Sequence, residues 1–158
     1  MTKAELVAAL RERARVLYEG KRTPHRSCGI ALAEAFGTAT HPYQALRRGG
    51  LTGEGQCGAI VAGQLLLGEL LGDPDPTGPP RPALREAMAE YRTEIARRVN
   101  TGGARTQICN DLVARFPIFQ SDERAAFCTD IAATVAEIGA EIALAHGATL
   151  RAPGPLPA

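Results

Sequence analysis

An all-α fold, a single-domain bundle of about six helices, is predicted for this chain by three observations. Apolar residues recur at three- and four-residue steps in its long segments, glycines and prolines punctuate those segments at helix-length intervals, and no alternating apolar and polar run is long enough for a strand. With 158 residues, 45% of them apolar, one core can bury roughly two thirds of the unfolded surface without disulfide staples. The four cysteines are therefore not required for folding.

Residues 2–19 place Leu6, Leu10, Ala14 and Leu17 on one helical face and charge on the other, and Gly20 closes this first helix. A basic polar stretch, 20–27, leads into Cys28 and an alanine-rich second helix that ends at Gly37, with Cys28 in its first or second turn. Residues 38–56 hold His41-Pro42 and the glycines Gly49, Gly50, Gly53 and Gly55, so they read as a loop. A third helix, built of small residues and opened by Cys57, spans about 56–71. The proline-rich stretch 72–82 continues no helix, because each proline removes a donor and fixes φ.

Residues 83–99 set Leu84, Met88, Tyr91, Ile95 and Val99 at helical steps against a charged opposite face. Gly102-Gly103 breaks the chain, a short fifth helix follows over about 105–115 with Cys109 near its start, and Pro117 stops it. Ser121 is a natural N-cap and Asp122-Glu123 an acidic first turn for a long last helix that ends near His146-Gly147, with Cys128 about two turns inside. The domain is expected to span 1–150, and the tail 151–158 to be disordered.

Charge narrows the partners. Lys+Arg 18 against Asp+Glu 17 leaves +1, which argues against nucleic acid, an acidic ligand or a lipid surface. The N-terminus meets Arg11, Arg13 and Arg15 too soon for a secretory signal, and the longest apolar run, Ala59 to Leu67, is interrupted by Gln64 and falls well short of the roughly 20 residues that span a bilayer. A soluble cytoplasmic protein is expected, and structural disulfides are uncommon in that compartment.

The candidate site residues are Cys28, Cys57, Cys109 and Cys128. At least three lie close to helix starts, where backbone N–H groups and the positive end of the helix dipole favour the thiolate, the form that attacks disulfides and binds metals. Their separations of 29, 52 and 19 positions contain no C-x-x-C pair, so no zinc ribbon, thioredoxin or ferredoxin pattern is present. Four thiolates are nonetheless the number that completes a tetrahedral zinc site or anchors an iron–sulfur cluster, provided the cysteines converge. Around Cys57, the small residues Gly58, Ala59, Ala62 and Gly63 permit close approach of a neighbouring helix, a cofactor or a second sulfur.

Other polar groups carry less. His25 precedes Cys28 by three residues and is a candidate modulator or ligand, although a loop histidine beside Arg22 and Arg26 is more often solvated. His41 reads as a turn residue and His146 as a dipole partner at a helix C-terminus. Lys21, Arg26 and Arg105 are charges near Cys28 and Cys109 that would favour thiolates, and Asp111 and Asp130 read as surface carboxylates.

The order of a cysteine before an alanine-rich helix, then Cys57-Gly58-Ala59, a charged helix, Cys109-Asn110-Asp111-Leu112 and Phe127-Cys128 resembles the C-GCAxxG-C-C family of redox-active proteins, over about 27–143. The family's four cysteines map onto Cys28, Cys57, Cys109 and Cys128. Its C-G-A-x-x-G stretch matches here at Cys57, Gly58 and Ala59, with Ala62 in place of the last glycine and Gly63 just after. The resemblance implies redox activity in a small bacterial protein and no defined substrate. A related domain in a split-Soret haem cytochrome does not extend to haem here, since the chain has no C-x-x-C-H.

Three readings follow from the same residues. The first is a redox protein that cycles its cysteines between thiol and disulfide, or transfers sulfur or electrons, with a redox partner protein or a small-molecule thiol. In the second, an iron–sulfur cluster or zinc is bound by the four thiolates. The third is a helical interaction module with structural cysteines, a homodimer through the 56–71 or 83–99 helix.

Overall fold

The computed structural model describes residues 1–158. It is all-helical: α1 (Lys3–Glu19), α2 (Cys28–Ala35), a 3-10 helix (His41–Leu46), α3 (Gly58–Leu71), α4 (Pro82–Arg98), α5 (Cys109–Val113) and α6 (Asp122–Ala145). No strand forms, and the only β-type pairing is an isolated antiparallel bridge between Gln56 and Ile108. No helix is long and apolar enough to cross a membrane.

The helix ends follow local chemistry. Thr2 accepts from the Glu5 amide while Glu5 accepts from the Thr2 amide at 2.7 Å, a reciprocal cap for α1. Gly20 ends α1 in the left-handed region, at φ 75°. Ser121 caps α6 by accepting from the Arg124 amide. Pro82, the last residue of the expected loop, is the first residue of α4, where a missing N–H leaves nothing unpaired. The expected loop 38–56 contains the 3-10 helix at its start, and Pro42 sits at its entry.

The longest helix, α6, is the central post. It packs along α1 most extensively and also against α2, α3 and α4, with Ile131, Val135, Ile138 and Ile142 buried along it. Fully buried alanines, among them Ala31, Ala59, Ala62, Ala132 and Ala136, keep the helices close. The small-residue face of α3, considered above as a dimer surface, is consumed inside the monomer: Gly58, Ala59, Ala62 and Gly63 are all buried. Gly63 lies under the ring of Tyr91 on α4, whose hydroxyl donates to the Ile60 carbonyl at 2.7 Å.

This bond yields a test of the α3–α4 contact. Tyr91→Phe leaves the Ile60 carbonyl without that buried partner, so it is expected to lower unfolding free energy by about 1–2 kcal/mol. Urea denaturation measures the loss directly, and an unchanged midpoint would show that the bond contributes nothing net.

The tail 151–158, expected to be disordered, forms no helix, and two of its carbonyls accept from side chains of the N-terminal part of the chain. Arg13 donates to the Gly154 carbonyl, and the Thr23 hydroxyl donates to the Pro157 carbonyl at 3.0 Å. Two side chains that reach across the chain supply partners for tail carbonyls that composition alone would leave to water.

Candidate thiol site

All four cysteines line one cavity of about 460 Å³. Cys28 is the first residue of α2, Cys57 the N-cap of α3, Cys109 the first residue of α5, and Cys128 lies in the second turn of α6. Three helix starts therefore converge on the cavity, and their free backbone donors favour negative charge there. Cys57 is buried; the other three are half-buried at its wall.

The convergence is produced by the glycine-rich loop before α3. The Cys57 amide donates to the Gln107 carbonyl at 2.8 Å, the Cys109 amide to Gly55 at 2.9 Å and the Asn110 amide to Gly53 at 2.9 Å, which clamps the starts of α3 and α5 together. Gly49, at φ 59°, packs so closely that a Cβ there would lie 2.5 Å from the Cys109 Cβ. Gly58 does the same for the other pair, since a Cβ there would lie 2.9 Å from Cys28 Sγ. The small residue after Cys57 thus serves a second sulfur, while Gly63 serves the neighbouring helix.

The four thiols are not equivalent. A hydrogen bond from the Cys57 thiol holds Cys28 below the ordinary thiol range, with help from the Gly29 backbone N–H and against the opposing effect of burial. The same bond, together with burial, pushes Cys57 well up. Burial pushes Cys109 up although the Arg48 guanidinium counteracts it, donating from Nη1 to Cys109 Sγ at 2.9 Å. Burial likewise raises Cys128 against the pull of Arg124 and Tyr18. Cys28 alone is shifted toward the thiolate, and the other three toward the protonated thiol.

The cations near the sulfurs are not those expected from sequence proximity. Arg26 is paired with Glu34 at 2.8 Å, and Lys21 with Glu19 at 3.7 Å. Arg48 and Arg124 take their place. Arg48 has a left-handed backbone, φ 51°, uncommon for a side-chain-bearing residue. Arg124, buried, donates from Nη1 to the Tyr18 hydroxyl at 2.8 Å and from Nε to the Phe119 carbonyl at 2.7 Å. Both guanidinium groups stack on Phe119, at 4.6 and 4.1 Å from its centroid. The spacing of Arg124 and Cys128, four residues apart on one helix, was visible in the sequence; Arg48 and Tyr18 had no such signal.

The remaining polar candidates separate cleanly. His25 lines the cavity, bonds the Tyr18 carbonyl through Nδ1 and meets the Tyr18 ring edge-on, with centroids 4.8 Å apart. His41 opens the 3-10 helix and His146, at the end of α6, pairs with Glu90 at 2.9 Å. Asp111 and Asp130 are exposed, and Asp111 accepts from the Thr106 hydroxyl.

No three His, Cys, Asp or Glu side chains come together closely enough to hold a metal ion. The cysteines sit around the wall of the cavity, with Cys109 accepting from Arg48.

The different environments predict a pH profile for each thiol. Alkylation by iodoacetamide follows the thiolate fraction, so Cys28 is expected to reach half its maximal rate at lower pH than a free thiol and the other three at higher pH. Cys57→Ala removes the largest cause of the lowering and moves the Cys28 inflection to higher pH. Mass-spectrometric rates between pH 5 and 10 (on the order of the range bracketing a free thiol) check this, and an inflection that does not move would assign the thiolate to another cause.

Comparison of the chain with models of protein families, with curated proteins and with solved structures finds no match.

Proposed function

We propose that the protein is a thiol–disulfide redox protein in which Cys28 attacks and Cys57 resolves. The observation that carries this reading is the convergence of the four cysteines on one cavity, with Cys28 and Cys57 at the starts of α2 and α3 and unlike in environment, Cys28 shifted toward the thiolate and Cys57 toward the thiol. Such a pair has what disulfide exchange needs, an ionised nucleophile and a second thiol within reach. The cysteine order that resembles the C-GCAxxG-C-C family supports the same reading.

The reaction balances on these atoms. The Cys28 thiolate attacks one sulfur of a substrate disulfide, forms a mixed disulfide and expels the first substrate thiolate. The proton of the Cys57 thiol passes to that thiolate or to water, and the Cys57 sulfur then attacks the Cys28 sulfur and expels the second substrate thiolate. Two electrons move to the substrate, which leaves as two thiols once the second thiolate takes a proton from water, and Cys28 and Cys57 end as a disulfide. A partner dithiol, protein or small molecule, reverses the state by the same exchange. Cys109 and Cys128 line the same cavity as protonated thiols.

Protein purified without oxygen tests this against the metal and structural readings. The expected result is four titratable thiols, no stoichiometric iron or zinc, and a first disulfide between Cys28 and Cys57 on mild oxidation, located by peptide mapping. Stoichiometric iron or zinc with masked thiols would overturn the proposal in favour of a ligand set. Thiols that resist oxidation, with cysteine substitutions that change only stability, would leave the cysteines structural.

A further inference from the structure

The charged side chains on the wall of the cavity that holds the thiols are all basic. They are Arg47, Arg48, Arg124 and His25, with no aspartate or glutamate among the lining residues. None of the three arginines forms an ion pair, unlike Arg11, Arg15, Arg26, Arg81, Arg97 and Arg98, although other arginines of the chain are also without one. The chain as a whole is nearly neutral, at +1, so the positive excess is local. Unpaired guanidinium groups at a partly desolvated wall raise the local concentration of anions and stabilise one that binds.

A second, independent observation lies beside the nucleophile. The Ser27 hydroxyl, at the N-cap of α2, lines the cavity, is buried and has no hydrogen-bond partner, and it makes no capping bond to the helix. A buried hydroxyl without a partner is costly, so it is a group positioned to bond a ligand. It precedes Cys28 by one residue. The cavity volume of about 460 Å³ lies within the range of sites for small molecules.

We propose that the substrate is a low-molecular-weight disulfide bearing carboxylates, whose carboxylate is held by the cavity arginines with the Ser27 hydroxyl as a further donor while Cys28 attacks its sulfur. The inference rests on the redox reading above and adds the substrate class. Cys28 and Cys57 supply the two electrons, and the products are two anionic thiols. Arg48 stacks on Phe119 and donates to Cys109 Sγ without a carboxylate partner, so its remaining N–H groups are available to an anion.

Reduced full-length protein is mixed with three symmetrical disulfides of similar size: 3,3′-dithiodipropionate, 2-hydroxyethyl disulfide and cystamine, which are anionic, neutral and cationic. Each rate is divided by the rate of dithiothreitol with the same disulfide, which cancels leaving-group differences. The expected order is anionic, neutral, cationic, with about tenfold or more between the first two at low salt and a smaller ratio at high salt. Arg48→Gln and the exposed Arg47→Gln are expected to lower the anionic rate more than the neutral one. Equal normalised rates for the anionic and neutral disulfides, or variants that lower all three rates alike, would overturn the inference. Reaction with the neutral disulfide but no anionic preference sinks this inference alone, whereas no reaction with any of the three sinks the redox reading as well.

Discussion

Cys28→Ser is expected to slow reduction of a substrate disulfide by about 100-fold or more, since a serine hydroxyl does not ionise in the range where a thiolate attacks. Cys57→Ser separates the two steps. The mixed disulfide at Cys28 still forms, but the resolving sulfur is missing, so one equivalent of substrate thiol is released and the adduct persists. Mass spectrometry of the intact protein after mixing with a disulfide reads both outcomes. The roles follow the direction of the two shifts: the neighbouring Cys57 thiol favours the Cys28 thiolate, while Cys57 itself is pushed up beside Cys28 and by burial. An adduct trapped on Cys57 in Cys28→Ser, at the rate of the native protein, would reverse the assignment.

Gly58→Ala is expected to destabilise the fold by about 2–3 kcal/mol, a fall in melting temperature of about 5–10 °C for a chain of this size. The added Cβ would overlap the Leu46 carbonyl oxygen and lie 2.9 Å from Cys28 Sγ. Neither neighbour is the free end of a flexible side chain: one is backbone at the end of the 3-10 helix, the other a sulfur at the first residue of α2. The start of α3 must shift, and the Cys28–Cys57 hydrogen bond with it, so alkylation at Cys28 should slow at neutral pH. Gly68→Ala in the same helix is the control. No atom lies within 4 Å of its Cβ position, and removing a helical glycine is expected to stabilise by about 0.5–1 kcal/mol. Equal effects at both positions would mean that close packing at Gly58 is not what the glycine serves.

Periodicity and end signals were enough to draw the helices, because both are local. Leu10, Ala14 and Leu17 stand at helical steps and are fully buried, and Gly20 and Ser121 end and begin helices where their conformational preferences place them. Contacts distant in sequence are not legible in composition. Arg13 and Thr23 supply donors to carbonyls of the tail. Tyr91 and Val135 lie against Gly63 of α3.

The candidate site shows the same division. That Cys28, Cys57 and Cys109 lie at helix starts follows from glycine and cap positions along the chain. Their partners do not. Cys109 receives its guanidinium from Arg48, sixty-one positions away, delivered by a left-handed backbone that no sequence period marks.

The sequence alone therefore carries the helices, their order and the placement of three cysteines near N-terminal amides, because helix formation and capping depend on residues within a few positions of one another. Tertiary structure decides that the four thiols share one cavity, that Cys28 and Cys57 differ in environment, and that Arg47, Arg48 and Arg124 line the same wall. Ionisation is governed by burial and by charges within a few ångströms, and those neighbours are assembled only when α2, α3, α5 and α6 pack.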